Sequence, residues 1–499
     1  MSSIDAYTVA QVRARDAEVI AAGTPGFELM TRAAAAALAT LKSEWPQARH
    51  IAILCGAGNN AGDGYVLARL ARLDGFTVKV FAVGDPQRLR GDAARAFETA
   101  REAGVVIESW HESAAQQLGQ WQALVDALLG TGLDQVVRPA YAAVIAAINA
   151  AARPVLALDV PSGLCADTGV VRGVAVRAAI TVTFIGIKRG LWLQSGPDHC
   201  GQVRLADLDV GMNAAAPALQ CIDDALRVRA LPPRHREAFK SQSGRVLIVG
   251  GADGMAGAVR LAGEAALRVG AGLVTVLTSP ASVAAVAARP ELMVHGSDSV
   301  ARCAELAARC DVLVVGPGMG DDDWSQGMCE AALATARPVL LDAGALRWLA
   351  KSPRRVAQEW ILTPHPGEAA QMLGFAANDG SRRVQDDRSG ALQQLVKDYG
   401  GTVVLKGAGT LLGRATQTPT ICLAGNPGMA IPGMGDVLSG AIAGLWAQLR
   451  DPWLAARVGV WVHACAGDAL APNGERGLLA GEVATELRRW VNPRVIADG

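Results

Sequence analysis

Hydrophobic residues follow two alternating patterns along the chain. Short apolar runs, for example at residues 51–55, 78–83 and 245–249, have the length and composition of buried strands. Longer stretches, such as residues 7–22 and 27–41, carry apolar side chains at helical spacing. Strands that alternate with helices indicate parallel sheets covered by helices on both faces. The pattern therefore predicts an α/β chain.

The alternation weakens once, near the middle of the chain. Residues 211–217 are mostly small and are typical of a linker, and the strand-helix pattern starts again at residue 245. A chain of 499 residues is also long for a single hydrophobic core. We predict two doubly wound domains, at residues 1–213 and 220–499. Their loop motifs differ, so they are not repeats of each other.

Composition narrows the class of protein. The 47 Lys and Arg residues balance 47 Asp and Glu residues, so no overall field attracts nucleic acid or an anionic membrane. No apolar run approaches the roughly 20 residues needed to cross a bilayer, and residues 1–11 lack the pattern of a signal peptide. The nine cysteines are scattered without metal-ligand spacing. We expect reduced thiols, a cytoplasmic homo-oligomer, and neither nucleic-acid nor membrane partners.

Three loops in the first half follow predicted strands and carry reactive or cation-binding residue types. They are Asn59-Asn-Ala-Gly-Asp63, Asp126-Ala-Leu-Leu-Gly-Thr-Gly132 and Asp159-Val-Pro-Ser-Gly163. Ligands of open parallel sheets bind beyond the carboxyl ends of the strands, and glycine-rich helix starts present amides to anions. The glycines also suit a purely structural turn. Asp126 and Asp159 each end an apolar strand, so each must be hydrated, paired, bound to a cation or capping the next turn.

In this order, the three motifs resemble the N-terminal epimerase domain of the bifunctional NAD(P)H-hydrate repair enzymes, over residues 5–212. The resemblance implies a Rossmann-like sheet that binds the hydrated dinucleotides NADHX and NADPHX. The substrate-binding residues that it implies are Asn59, Asn60, Ala61, Gly62, Asp63, Gly130, Thr131, Gly132, Leu133, Asp134, Gln135, Val136 and Asp159. It also implies a potassium ion held by Asn60, Asp126 and Ser162, whose oxygen atoms suit a hard cation.

The implied reaction interconverts the R and S hydrates at C6 of the reduced nicotinamide ring. The ring nitrogen allows the C6 hydroxyl to leave and to return to either face. This calls for a carboxylate that passes a proton and stabilises the cation, and we assign that role to Asp159. Lys188 is either a helper or a structural or phosphate-facing residue. Ala61 replaces the glycine that the family usually has, and it strains the loop only if the position requires a positive φ.

A glycine-rich loop in the second half runs directly into a helix. Residues 425–436 precede an apolar helical stripe, so amides at the start of that helix face any bound anion. Asp436 is either a helix N-cap or a catalytic base. Lys406 ends a predicted strand and is either a solvated lysine or a phosphate ligand. His365 lies between two prolines and is held stiffly, which favours a ligand contact over a core position.

This set resembles the C-terminal dehydratase domain of the same enzymes, an ADP-dependent unit with a ribokinase-like fold, over residues 220–499. The nucleotide-binding residues that the resemblance implies are Lys406, Gly407, Ala408, Gly409, Thr410 and Gly435. The implied hydrate contacts are Ala258, Gly318, His365 and Asp436. In the implied reaction ADP, with Mg²⁺, phosphorylates the C6 hydroxyl while Asp436 takes its proton. Loss of phosphate and of the C5 proton then restores the dinucleotide.

The second half departs from the family pattern at two places. Gly344 replaces a usual aspartate, and Ile431-Pro432 replaces a usual pair of small residues, with Pro432 lacking an amide for phosphate.

Two other functional hypotheses remain open for this chain. One is a small-molecule kinase fused to a ligand-binding module, whose product keeps its phosphate. The other is a chain whose first half is only a sensor or scaffold. The cation and carboxylate set favours a working first site over a scaffold.

Overall fold

The computed structural model describes residues 5–212, 215–237, 239–352 and 359–492. The chain forms two compact units, one of residues 5–219 and one that begins at residue 220. Residues 213 and 214 of the predicted linker, and both chain ends within the predicted domain ranges, lie outside the described residues.

The first unit contains nine strands and six α-helices among its described residues. The strands are β1 (Asp5–Tyr7), β2 (His50–Cys55), β3 (Thr77–Ala82), β4 (Val106–Ser109), β5 (Ala123–Ala127), β6 (Val155–Leu158), β7 (Ile180–Phe184), β8 (Ile187–Lys188) and β9 (Gln202–Ala206). The helices are α1 (Val9–Ala21), α2 (Gly26–Glu44), α3 (Asn59–Leu73), α4 (Gly91–Glu102), α5 (Pro139–Ala150) and α6 (Gly196–Cys200).

Seven of these strands form a parallel sheet in the order β4-β3-β2-β5-β6-β7-β9, and β1 pairs with β8. Both faces of the sheet are buried. Ile51 and Ile53 of β2 lie in a core cluster with α2 and α3, whereas Ala52 and Leu54 lie in a second cluster with α5. Because successive side chains of a strand point to opposite faces, helices cover both sides. The doubly wound prediction is confirmed for this unit.

The helix α3 begins earlier than the sequence predicts. We expect it from about Tyr65, but it starts at Asn59, so the glycine-rich loop is short and the motif forms the first turns of the helix. Packing explains the glycines within the helix. A Cβ at Gly62 would lie 2.6 Å from the Cε atom of Met30, and a Cβ at Gly64 would lie 2.6 Å from the Cβ atom of Ala127. The helix can approach α2 and β5 only where side chains are absent.

The second unit contains ten strands and twelve α-helices among its described residues. The strands are β10 (Leu219–Cys221), β11 (Arg245–Val249), β12 (Leu273–Thr278), β13 (Met293–Gly296), β14 (Val312–Val315), β15 (Val339–Leu341), β16 (Trp360–Leu362), β17 (Thr402–Leu405), β18 (Thr410–Arg414) and β19 (Thr420–Cys422). The helices are α7 (Asp224–Ala230), α8 (Ala256–Arg268), α9 (Val283–Ala287), α10 (Val300–Ala307), α11 (Asp323–Ala334), α12 (Ala343–Lys351), α13 (Pro366–Met372), α14 (Gly380–Asp386), α15 (Arg388–Tyr399), α16 (Met434–Leu449), α17 (Pro452–Ala469) and α18 (Ala480–Trp490).

The sheet of this unit runs β13-β12-β11-β14-β15-β16-β17-β18-β19-β10. Neighbours from β13 to β17 are parallel, but β18 is antiparallel to both β17 and β19. The hydrophobic pattern predicts the parallel part and not this antiparallel pair of contacts. Only residues 406–409 separate β17 from β18, which is too short for a crossover helix, so the chain must reverse direction.

The helix α16 forms part of the core of the second unit. Most of its side chains are buried, and it lies in one apolar cluster with residues of α8 and α17. A Cβ at Gly440 would overlap the backbone of Ala262 in α8, and a Cβ at Gly444 would lie 2.8 Å from the carbonyl oxygen of Ala266. These glycines allow close contact between the two helices. Within the described ranges, no helix has both the length and the apolar character needed to cross a membrane.

Candidate active sites

A cavity of about 1050 Å³ opens at the carboxyl ends of β2, β5 and β6 in the first unit. Most of the predicted substrate-binding residues line it: Asn59, Asn60, Asp63, Gly130, Thr131, Gly132, Leu133, Asp134, Gln135, Val136 and Asp159. Ala61 and Gly62 are not among the lining residues, since both are buried in the packing of α3. Ala61 has no positive φ, so it introduces no backbone strain into the loop.

Beside this cavity, three predicted cation ligands come together around the backbone of Leu129. Asp126 accepts hydrogen bonds from the Ser162 hydroxyl, at 2.6 Å, and from the Ser162 amide, at 2.8 Å. The Leu129 amide donates to Ser162 Oγ at 2.8 Å, and Asn60 Nδ2 donates to the Leu129 carbonyl at 3.2 Å. All three side chains are buried. Asn60, Asp126 and Ser162 therefore form one polar cluster, although they are at least 36 positions apart in the sequence.

Two features of this cluster fit a bound cation. The Oδ1 atom of Asn60 is buried and has no hydrogen-bond partner among the described residues, which is costly unless a ligand satisfies it. Burial raises the pKa of Asp126 to about 6, although hydrogen bonds from Ser162 oppose the shift. A cation at this position would stabilise the ionised carboxylate and would also provide a partner for the orphaned amide oxygen.

Asp159 lies directly after β6 and forms an ion pair with Lys188, which is almost fully buried. Lys188 Nζ also donates to the carbonyl of Phe184 at 2.8 Å and to Thr183 Oγ1 at 3.3 Å. Asp159 adopts a left-handed backbone with φ of 66°, a conformation that aspartate tolerates better than most residues. The chain therefore directs this carboxylate at the lysine and toward the cavity that both residues line.

Two further carboxylates share the field of this ion pair. Burial, together with the charge of Asp159, raises the pKa of Asp63 well above its ordinary value, although Lys188 opposes the shift. Burial also raises the pKa of Asp16 on α1, with Lys188 lowering it and Asp159 raising it. Both residues line the cavity. One lysine thus faces three carboxylates, so not all of them can be ionised cheaply. Asp16 belongs to none of the sequence motifs, so it is not predicted as a site residue.

The second unit holds a comparable cluster around Lys406, at the carboxyl end of β17. Its Nζ atom lies 2.7 Å from Asp342 Oδ1 and 3.8 Å from Glu368 Oε2. Ser439 on α16 donates to Asp342 Oδ2 at 2.7 Å. Burial lowers the pKa of Lys406, but the charges of Asp342 and Glu368 outweigh burial and raise it overall. Asp342, Glu368 and Ser439 are not predicted as site residues. The signal for Asp342 was present, since it ends an apolar strand as Asp126 and Asp159 do.

Asp436 lies in the first turn of α16, beside Lys406. The helix begins at Met434 and not at Val437, so Gly435 and Asp436 belong to the helix start itself. Burial, together with the charge of Asp342, raises the pKa of Asp436 to about 7, although Lys406 opposes the shift. A Cβ at Gly435 would lie 3.3 Å from Lys406 Nζ. A carboxyl group with a pKa near neutrality, next to the free amides of a helix start, can accept a proton beside a bound phosphate.

The other predicted contacts of the second unit lie on the neighbouring strand-end loops. His365 is the N-cap of α13, where its Nδ1 atom accepts from the amides of Gly367 and Glu368, and its side chain is exposed. Gly318 and Ala258 are adjacent, because a Cβ at Gly318 would lie 3.1 Å from the Cβ atom of Ala258. In the loop that contains the predicted nucleotide ligands, Gly407 to Gly409 lie at the surface or partly exposed.

The structure also accounts for the two departures in the second unit. A Cβ at Gly344 would lie 2.5 Å from the carbonyl oxygen of Met319, so the present backbone leaves no room for a side chain there. The amide of Ile431 donates to the carbonyl of Met429, and Pro432 has no amide to offer. Donors to an anion must therefore come from Gly433 onward, at the start of α16.

Comparisons with known proteins agree with this architecture. A family model described as NAD(P)H-hydrate dehydratase matches residues 246–489, and one described as YjeF-related protein N-terminus matches residues 26–190. The bifunctional NAD(P)H-hydrate repair enzyme of Coxiella burnetii is 44% identical over 492 residues, covering 98% of this chain and 99% of that protein. The corresponding Escherichia coli enzyme is 42% identical over 479 residues, covering 94% and 90%.

Among solved structures, a ribokinase-like superfamily protein from Enterococcus faecalis matches with a TM-score of 0.51 and 28% identity. The match covers 56% of this chain and 97% of that protein. It confirms the predicted ribokinase-like fold of the second half. With two relatives above 40% identity over nearly its whole length, the chain belongs to the family of bifunctional NAD(P)H-hydrate repair enzymes.

Proposed function

We propose that each unit performs one step of nicotinamide nucleotide repair. The first unit epimerises the hydrates NADHX and NADPHX, and the second dehydrates the S hydrate with ADP as the phosphoryl donor. The observation that carries the proposal is the presence of two separate acid-lysine sites at strand ends, Asp159 with Lys188 and Asp342 with Lys406, in a chain of this family. The buried free thiols of Cys55 and Cys422 support a reducing, cytoplasmic setting.

The direct test supplies both NADHX epimers together with ADP or ATP and follows NADH absorbance. Full recovery of NADH, with one phosphate and one AMP released for each NADH formed from ADP, supports the proposal. A stable phosphorylated product would favour the small-molecule kinase instead. Absence of NADH recovery with either nucleotide contradicts the proposed function.

In the first unit, the C6 hydroxyl leaves as water after it takes a proton from a carboxylic acid, and the electron pair of the ring nitrogen forms the iminium cation. Burial and the charge of Asp159 raise the pKa of Asp63 well above its ordinary value, and this favours the protonated form that an acid requires. From the sequence we predict both roles for Asp159; with Asp63 as the acid, Asp159 supplies only the negative charge that stabilises the cation. Water then adds to the opposite face of the ring and returns a proton to Asp63.

A potassium ion fits the cluster of Asn60, Asp126 and Ser162. The supporting observation is the buried Asn60 Oδ1, which has no partner in the described part of the chain. When bound, the ion supplies positive charge beside Asp126. The three residues then hold the start of α3 and the loop after β5 in one arrangement, next to the substrate cavity.

We expect Asn60→Ala to weaken potassium binding by at least about tenfold, since the loss of even an outer-sphere partner costs 10- to 100-fold in metal affinity. Asn60→Asp, which keeps an oxygen at this position, should still respond to potassium. The measurement is the epimerase rate and the thermal midpoint against KCl, with choline chloride holding ionic strength constant. An equal potassium response in wild type and Asn60→Ala would place the ion elsewhere.

In the second unit, Asp436 accepts the C6 hydroxyl proton while the hydroxyl oxygen attacks the β-phosphorus of ADP and AMP leaves. The phosphate then departs from C6 with its bonding electrons, the ring nitrogen assists, and loss of the C5 proton forms the double bond. Lys406 offsets the charge of the phosphates. The described residues contain no group of three or more His, Cys, Asp or Glu side chains placed for a metal, so Mg²⁺ would be held chiefly by the nucleotide phosphates and would offset their charge.

The pKa of Asp436, about 7, gives the dehydratase a testable pH dependence. A base works when deprotonated, so kcat/KM should fall below about pH 7, approaching tenfold for each unit. Glu368→Gln should move this acidic limb to lower pH, because the charge of Glu368 helps to raise the pKa of Asp436. The exposed Glu330→Gln is the matched control and should leave the profile unchanged. Superimposable profiles for all three proteins would contradict the assignment of this base.

A further inference from the structure

The guanidinium of Arg388, at the first position of α15, is buried behind the loop of residues 406–409. Its side chain is 3% exposed. No ion pair joins it to a carboxylate in the described part of the chain. Burial lowers the pKa of Arg388 to about 10, so it remains charged at neutral pH. A buried cation without a counterion is costly, which calls for an explanation of why it lies there.

The partners of Arg388 are backbone carbonyls from both ends of that loop. One terminal nitrogen donates to the carbonyl of Leu405 at 3.1 Å and to that of Gly409 at 3.2 Å. The other donates to the carbonyl of Lys406 at 3.3 Å and to Gln385 Oε1 at 3.1 Å. The planar guanidinium can serve several acceptors at once in a fixed geometry, which a lysine ammonium on its flexible stem cannot reproduce.

The loop of residues 406–409 and the Arg388 guanidinium beneath it together form a positively charged surface, which we call the cationic cradle. Three carbonyl oxygens, which would repel a phosphate, are held inward on the guanidinium. Within the described structure, the amides of Gly407 and Ala408 have no hydrogen-bond acceptor, and both residues are exposed. Gly407 has φ of 136°, and a Cβ there would lie 2.7 Å from the Arg388 guanidinium, so the loop can approach the charge only as glycine.

We propose that Arg388 is a positioning residue for the nucleotide phosphates: it holds carbonyls at both ends of the 406–409 loop inward, leaves the amides of Gly407 and Ala408 outward, and adds a positive charge beneath the bound anion. The proposal rests on the proposed use of ADP by the second unit. Successive outward amides form anion-binding concavities in many proteins, and a buried charge beneath one is weakly screened. The guanidinium acts through the loop and does not touch the substrate.

The test compares ADP with adenosine as ligands of the full chain, by calorimetric titration. Arg388→Gln should weaken ADP binding at least about tenfold and leave adenosine binding within twofold of wild type, since only the phosphates use the cradle. Arg388→Lys keeps the positive charge but loses the planar guanidinium that bonds several carbonyls at once. Its ADP affinity should therefore lie between those of wild type and Arg388→Gln. Arg382→Gln, an exposed arginine six positions away, is the control and should bind both ligands as wild type does.

Two results would overturn the proposal: ADP binding within twofold of wild type in Arg388→Gln, or equal weakening of ADP and adenosine, as a general loss of structure would give. Folding of Arg388→Gln is judged by circular dichroism and by the melting transition of the second unit. If this variant does not fold, the same two comparisons of ADP and adenosine binding are made with Arg388→Lys, and they test the proposal in its place. A failed repair assay with normal ADP binding in wild type contradicts the proposed function while leaving this inference standing. An absence of ADP binding in wild type contradicts both.

Discussion

Asp436→Asn should reduce dehydration by about 10²- to 10⁴-fold and leave epimerisation unchanged, the range expected when a general base is removed. Asparagine has nearly the same shape, so the start of α16 and its amides should be preserved. The amide cannot accept the C6 hydroxyl proton, and it also removes the negative charge beside Lys406. The measurement is NADH recovery from purified S hydrate with saturating ADP, alongside epimer exchange followed by chromatography.

The control for this substitution is Asp323→Asn, which changes another carboxylate in the first turn of a helix, exposed on α11. It should keep both activities. Dehydratase activity within about threefold of wild type in Asp436→Asn would exclude Asp436 as the base. A parallel loss of ADP binding would instead indicate a role in nucleotide affinity, so the binding constant is measured in the same preparation.

Asp159→Asn should convert NADH recovery from an epimer mixture into two clearly separated phases. The first phase consumes the S hydrate at the wild-type rate, because the second unit is unchanged. The second phase draws on the R hydrate and should slow by about 10²-fold or more, since the charge that stabilises the cation is lost. Asparagine is preferred to alanine here because, like aspartate, it tolerates the left-handed backbone at this position, whereas alanine adds a cost of roughly 1–2 kcal/mol.

Active epimerase added in trans should restore the second phase, because the proposed reactions share only a diffusing substrate. Asp159→Ala provides an internal check on folding: if its slow phase matches that of Asp159→Asn while its stability is lower, the lost charge and not the backbone is responsible. If Asp159→Asn recovers both phases at the wild-type rate, Asp159 is not catalytic. Asp63→Asn, which removes the proposed acid of the same cavity, would then show whether the reaction depends on that residue alone.

The sequence predicted the parallel strands of both units because buried strands appear as short apolar runs with recognisable ends. The set Asn60, Asp126 and Ser162 was implied by the family resemblance. The strand-end rule alone indicated only the edge of the sheet at which a ligand should bind. The start of α3 was misplaced by about six residues. Glycines usually end helices, but Gly62 and Gly64 lie inside α3. A side chain at either position would collide with α2 or β5, and only the folded structure shows these close contacts.

Other site residues could not be predicted because their role depends on tertiary contacts. Asp16 lies on α1, remote in sequence from Asp159 and Lys188, and only the fold brings it into their field. Lys188 could be a surface lysine by its sequence, but its burial makes it the counter-charge of the first site. The roles of Asp436 and of the predicted potassium ligands stay predictions until the variants are measured.

The position of Asp436 on α16 has a consequence for how this enzyme loses activity. The helix is enclosed by α8 and α17, so its first turn cannot open without disrupting the packed interior of the second unit. Local fluctuations readily displace residues on surface loops from their working positions, but they should rarely displace this carboxylate. Destabilising substitutions far from the site should therefore reduce the number of competent molecules and leave the turnover of each surviving molecule unchanged. Dehydratase activity in a cell extract would then be proportional to the number of folded molecules of this chain.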